Sequence, residues 1–290
     1  MWTRRSVGPV LACLVATAGC GGSDSPSAQQ SPDRSGPPVA TSSPASQPSP
    51  VAPSTSAPPP EPLARAGKGC ETAKAEPVTL QAPNGARLAG LRMGQGPRGV
   101  VLGHQAGGDV CDLFAYGAEL AAKGYLVLAV DFESNGASDP VPPAVPGTSG
   151  TPVRPYADDL IAAVAHLRAA GATRVAVVGP SMGGTAAVVA GSRATPPVQA
   201  VVSLSGPATF GGMDAVAAAA SGVPQLVVGS RSDPDVRKAE LEAVHAAARG
   251  EGQSQILLLD GRLHGKQLLG NESVRSAVGA LLEARLAENP

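Results

Sequence analysis

The sequence predicts an α/β protein with a mainly parallel central sheet and helices on both faces, and three observations predict it. From Arg98 onward, short apolar, often β-branched runs alternate with alanine-rich stretches of helical length, the order that produces βαβ units. Ahead of them two alternating segments, 77–81 and 87–93, flank Pro83-Asn84-Gly85, a hairpin signal. Further on, the run Arg174-Val175-Ala176-Val177-Val178 passes straight into Gly179-Pro180-Ser181-Met182-Gly183-Gly184, a strand-to-helix turn crowded with glycine.

Taken in order, the pattern predicts the first central strand at 98–103 and a helix over 113–123. A strand at 126–131, a helix over 156–170 and a strand at 174–179 follow. The alanine- and valine-rich stretch 185–194 contains no proline and reads as the next helix. Strands are expected at 199–204, 225–229 and 254–259, with helices over 236–248 and 273–287. The gap 205–224 has room for about one helix, so no large lid is expected there. The stretch 139–153, rich in proline and glycine, is expected to form a further rim of the site.

The 290 residues divide into three zones. Residues 1–19 carry Arg4 and Arg5, an apolar run over 7–18 and then small residues, the form of an export signal. That run is too short to remain as a membrane anchor. Residues 20–66 are dominated by Ser, Pro, Ala, Gln and Thr and carry too little apolar surface to offset the entropy of ordering, so they are read as a disordered, extended linker. Residues 67–290 are expected to form one catalytic domain.

The formal net charge is −1, and −3 without Arg4 and Arg5, with charges scattered along the chain; nothing favours a nucleic-acid partner. Of four cysteines, Cys13 lies in the signal. Cys70 and Cys111 remain in the domain and are expected to form a disulfide in an oxidising compartment. Ala18-Gly19-Cys20 resembles a bacterial lipobox, with Thr17 departing from the usual leucine. The resemblance implies acylation of Cys20 and a membrane-anchored lipoprotein, simple secretion being the alternative.

The chemistry centres on Ser181. A serine hydroxyl is a poor nucleophile until the backbone exposes it and a base takes its proton. Glycines two residues before and two after it let strand and helix approach closely enough for the sharp turn that does the first. Met182, just inside the helix start, has an N–H without an intrahelical partner. Such a nucleophile needs a histidine, and the histidine a carboxylate. His166 and His245 fall in helical patterns and His104 precedes the serine, whereas His264 follows the last strand in a loop able to reach over the sheet edge. Asp233, in the turn after 225–229, is the favoured carboxylate, with helix capping as its structural alternative. Asp235 is expected to begin the next helix, and Asp260 would demand a contorted loop. Asp109 and Asp112 lack histidine neighbours, so capping is expected there and no metal or other cofactor is implied.

The order Ser181, Asp233, His264 together with the elbow resembles the α/β-hydrolase fold, and the spacing resembles its compact dienelactone-hydrolase-like branch. The resemblance runs from Val78 to near the end of the chain. It implies a serine hydrolase acting on carboxylic esters with small or exposed acyl groups through an acyl-Ser181 intermediate. Ser181 stands where dienelactone hydrolases carry cysteine, which shifts the expectation toward carboxylesterase chemistry. Val100 to Gly108 resembles the loop that supplies the second oxyanion donor, with Gln105 in place of a glycine. The alignment assigns the oxyanion to the N–H groups of Met182 and Ala106, with Gln105 as fallback and His104 bracing the loop. A non-catalytic surface lipoprotein of the same fold, and a peptidase or transacylase using the same triad, are the alternatives.

Overall fold

The expected hairpin forms, with β1 (Ala75–Gln81) and β2 (Arg87–Met93) pairing antiparallel from Ala75 opposite Met93 to Gln81 opposite Arg87. Its turn is closed by Asn84, whose Oδ1 accepts the Ala86 N–H at 3.0 Å. The structure is a computed structural model and describes residues 69–70, 75–141, 154–250 and 252–287. All of them fall in the compact unit Ser56–Pro290. The proposed signal, linker and Cys20, and most of the 139–153 rim, lie outside the described residues.

After the hairpin come β3 (Arg98–Gly103), a 3-10 turn (Val110–Leu113), α1 (Phe114–Ala122), β4 (Leu126–Val130), α2 (Tyr156–Ala169), β5 (Arg174–Pro180) and α3 (Met182–Arg193). Next is β6 (Ala200–Leu204). The expected small insertion follows as a two-residue ribbon, β7 (Thr209–Phe210) with β8 (Met213–Asp214), and the five-residue α4 (Ala215–Ala219). The chain ends with β9 (Gln225–Ser230), α5 (Lys238–Ala247), β10 (Ser254–Leu259), a 3-10 turn (Gly265–Gly270) and α6 (Glu272–Leu286).

Eight strands make one sheet in the order β1-β2-β4-β3-β5-β6-β9-β10. From β4 to β10 every pairing is parallel, and only the hairpin and its junction with β4 are antiparallel. Strands buried on both faces need apolar residues at every position. In β5, Val175 and Val177 face the core under α2 and α3, while Ala176 and Val178 face the core under α1 and α6. Leu160, Leu167, Ala186, Leu241 and Val244 from α2, α3 and α5 close the first face. Phe114 and Leu120 of α1 and Val274, Val278 and Leu282 of α6 close the second. Each such valine or leucine removed from water contributes about 1.5–3 kcal/mol.

Two helix starts lie two or more residues from those the apolar pattern gives. α3 begins at Met182 rather than 185, because Gly183 and Gly184, poor helix formers on their own, are required there by close packing. α5 begins at Lys238 rather than 236, because the Asp233 side chain takes the amides of Asp235 and Val236 into its own turn. Asp235 therefore precedes the helix instead of starting it. Cys70 and Cys111 form the expected disulfide, with Cα atoms 5.5 Å apart.

Candidate active site

Parallel strands converge their carboxyl ends on one edge of the sheet, and that edge is where this fold presents chemistry. Ser181 follows β5 and caps α3 with φ 50° and ψ −121°, a left-handed conformation a serine adopts only when its surroundings hold it. The hold comes from both sides. Its N–H donates to the Leu204 carbonyl at 2.8 Å, and its carbonyl accepts from Gly184 at 2.8 Å and Thr185 at 3.2 Å. A Cβ at residue 179 would lie 2.1 Å from the Gly183 carbonyl oxygen, and one at residue 183 would lie 2.5 Å from the His104 carbonyl oxygen. Strand, helix and the loop after β3 thus touch main chain to main chain.

Asp233 and His264 meet across 31 residues of sequence. His264 Nδ1 lies 2.9 Å from Asp233 Oδ1 and 3.0 Å from Oδ2, so the ring nitrogen donates and Nε2 is left as the basic nitrogen. The Asp233 side chain is fully shielded and that of His264 is 15% exposed. Asp233 Oδ1 also accepts the amides of Asp235 at 2.9 Å and Val236 at 3.2 Å. Capping and orientation of the imidazole, weighed as alternatives from sequence, are performed by the same carboxylate.

Burial pushes the Asp233 carboxyl up. The Ser205 hydroxyl, the Asp235 amide, the His264 ring and the Val236 amide outweigh it and hold the group below the usual carboxylate range. Ser205 is buried at φ 53°, and its Oγ faces the carboxylate without closing a well-aligned hydrogen bond. Its part is therefore that of a nearby dipole.

Ser181 Oγ and His264 are not joined by a hydrogen bond among the described residues. Nε2 stands 3.8 Å from Asp235 Oδ2, too long for a hydrogen bond, and the Asp235 side chain is 66% exposed. The base loop nevertheless lies beside the elbow, since a Cβ at residue 265 would meet Pro180 Cβ at 3.6 Å. Long contacts of this kind are common before substrate binds. The acceptor atoms of Asp233, Asp235 and His264 fall within 4.8 Å of one another, close enough for a cation. The amides and the imidazole already engaged by Asp233 make it an orienting carboxylate rather than part of a metal cage.

The loop after β3 is held as the sequence reading expected. His104 is buried, its Nε2 accepts from the Phe132 amide at 3.1 Å, and its Nδ1 therefore carries the proton given to the Gln105 carbonyl at 2.7 Å. Burial holds this imidazole below its ordinary range, so it stays neutral and braces the loop. Ala106 and Gly107 beyond it are exposed. Asp109 caps the following turn through the Cys111 amide at 2.9 Å, and Asp112 pairs with Lys266. His166 sits in α2 and His245 in α5, the latter bonded to Ser254 Oγ at 2.8 Å, both away from the site. Asp260 pairs with Arg231 at 3.1 Å on the surface.

The sequence reading missed a second acidic group at the same edge. Asp131 accepts the amides of Val110 at 2.7 Å and Ala137 at 2.8 Å, and burial pushes its carboxyl up to about 6. Glu133 and Asp159 are fully buried side by side, and Asp159 Oδ2 accepts the Glu133 amide at 3.0 Å. Glu133 Oε1 accepts from Asn84 at 2.7 Å, while Glu133 Oε2 and Asp159 Oδ1 have no partner among the described residues. Burial, with the Glu133 charge and side chain adding to it, pushes Asp159 up to about 8. Asp159 therefore keeps its proton at neutral pH.

Comparison with known proteins agrees with this architecture. A search of the curated proteins finds no match. Among solved structures, the Pyrococcus furiosus esterase Pf2001 superposes with a TM-score of 0.60 at 19% identity, covering 74% of this chain and 93% of its own. A thermophilic esterase from Thermogutta terrifontis gives 0.58 at 17% identity, covering 73% and 100%. A predicted CIB-like hydrolase from Thermoplasma acidophilum gives 0.53 at 18% identity, covering 72% and 98%. At these identities the likeness is one of fold. The family model described as serine aminopeptidase, S33, matches residues 95–248, just over half of the chain, from the strand before the oxyanion-loop candidate through α5. The chain is thus an α/β hydrolase, and it belongs to the serine aminopeptidase S33 family.

Proposed function

We propose that this hydrolase cleaves carboxylic esters by acyl transfer through Ser181. The observation that carries the reading is the pairing of a left-handed Ser181 at a glycine-bound elbow with a buried Asp233–His264 hydrogen bond at the same sheet edge. His264 Nε2 takes the Ser181 proton as the hydroxyl attacks the ester carbonyl. Asp233 holds the ring and stabilises the imidazolium that forms. The amide of Met182, with that of Ala106 or Gln105, receives the oxyanion, a contribution worth about 10²–10³ in rate per donor. Collapse expels the alcohol with the proton held on His264, and water, deprotonated by the same imidazole, releases the acid from acyl-Ser181.

The short insertion between β6 and β9 leaves an open site, which favours short acyl chains or ester bonds exposed on larger molecules. The compact dienelactone-hydrolase-like branch remains the nearest description of the triad spacing, with thioesters or activated amides as related substrates. The Cys70–Cys111 disulfide supports export, and with it acylation of Cys20 and attachment to a membrane. A peptidase reading has one observation in its favour. The exposed Asp235 carboxylate beside His264 offers a partner for a substrate ammonium group, as the name of the family invites.

The test is a fluorophosphonate probe with a p-nitrophenyl ester series run beside aminoacyl p-nitroanilides. Labelling that disappears in Ser181→Ala, with ester turnover concentrated at short chains, is the expected result. Turnover surviving in Ser181→Ala overturns the acyl-enzyme. Preference for anilides carrying a free amine would move the assignment to the peptidase reading.

A further inference from the structure

The side chain of Gln105 does something that its place in the oxyanion loop does not require. Its Oε1 accepts the Lys266 amide hydrogen at 3.1 Å, across 161 residues of sequence, and Lys266 is two residues beyond His264. Because an N–H needs an acceptor, the bond also fixes which end of the side-chain amide faces the base loop. Between them lies Gly265 at φ 56°, where a Cβ would meet Gln105 Oε1 at 2.6 Å. The turn therefore approaches Gln105 as closely as a residue without a side chain allows. Two further bonds hold the same turn: Gln267 Oε1 accepts the His264 amide at 3.1 Å, and the Lys266 ammonium pairs with Asp112. The ion pair holds the turn less firmly, since the Lys266 side chain is 43% exposed.

We propose that Gln105 is a positioning residue whose side-chain carbonyl fastens the turn carrying His264 to the loop carrying the oxyanion donors, so that base and oxyanion hole keep one fixed separation. The inference rests on the Ser181–Asp233–His264 reading. Among the described residues Ser181 Oγ and the imidazole share no hydrogen bond. With no bond of its own to the nucleophile, the ring depends on Asp233 for its rotation and on the 261–267 turn for its distance. A displacement of about 1 Å at such a site can cost about a hundredfold in rate.

The experiment compares Gln105→Ala and Gln105→Glu for kcat and KM on a short p-nitrophenyl ester, for fluorophosphonate labelling rate, and for amide hydrogen exchange over 262–268. For Gln105→Ala we expect kcat and labelling to fall about 10- to 100-fold with KM within about twofold. Exchange should speed up in 262–268 but not in the distant hairpin 75–93. Gln105→Glu keeps the acceptor and should recover kcat to within about fivefold, with exchange close to that of the parent. If Gln105→Ala does not stay folded, Gln105→Asn, too short to reach Lys266, carries the same expectation. Unchanged exchange and kcat in an active protein overturn the brace alone. A glutamate variant as impaired as the alanine one overturns it too, by assigning the work to the amide hydrogens. A parent protein inert to both ester and probe overturns the Ser181 reading and the positioning role with it.

Discussion

Glu133 and Asp233 each stand three residues beyond the end of a parallel strand, β4 and β9, at the same edge of one sheet, and the carboxyl of Asp159 beside the first and that of Asp233 itself meet opposite surroundings for negative charge. Around Asp233 two amides, an imidazole and a hydroxyl converge, and the carboxyl is held ionised against its burial. Around Asp159 the partners are one backbone amide and a second carboxyl, Glu133, and a proton is retained instead. Burial is near complete in both places. What separates an orienting carboxylate from a protonated structural carboxyl is the number of donors the backbone turns toward it.

The same contrast fixes how each site responds to pH. A lowered carboxyl such as Asp233 contributes stability that is present above its ordinary value of about 4 and lost as pH falls through the folded value. A raised one such as Asp159 contributes stability that is full below about 4 and lost as pH rises toward about 8.

The largest expected effect comes from breaking the Asp233 side. Asp233→Asn turns an acceptor of the imidazole hydrogen into a mixed group, and kcat on a short ester should fall on the order of 10⁴-fold while the fold remains. A loss below tenfold, with circular dichroism unchanged, would remove Asp233 from the triad. The Glu133 side is broken by Asp159→Asn, whose amide supplies permanently the hydrogen that the parent must bind. Between pH 7 and 9 the parent should lose roughly 1 kcal/mol of stability in urea unfolding and the variant almost none. A slope that persists in the variant would locate the proton elsewhere, Asp131 first. The smallest effect sharpens the comparison: Ser205→Ala removes the least well aligned donor at Asp233, and kcat should drop only a few-fold. A drop as deep as that of Asp233→Asn would make this hydroxyl an essential part of the orientation.

The two regions also differ in how far they could be read from sequence. The Ser181 elbow is a local pattern, written in five consecutive residues between a strand and a helix, and Asp233 and His264 follow from counting turns after strands. The acidic pair has no such signature. Asp159 in the first turn of α2 resembles an ordinary carboxylate at a helix N-terminus, and Glu133 an ordinary loop residue; only the fold reveals that they share one buried space. The sheet and nearly every element bound were legible because alternation and apolar runs are local properties. The starts of α3 and α5 were not, because each is decided by a contact made elsewhere: the main-chain approach at Gly183 and the side-chain reach of Asp233. Gln105 was read for its backbone, and its side chain's bond to Lys266 depends on a meeting no spacing rule describes.

Residues 179, 183, 184 and 206 form a patch of bare main chain around Ser181, since a methyl group at any of them would lie within 3 Å of an atom already there. The nucleophile is thereby surrounded by sites that cannot be varied even conservatively. An engineer wishing to alter acyl preference would find no freedom beneath the serine and would have to work from side chains that still meet solvent, such as Thr209, Asp214 and Asp235.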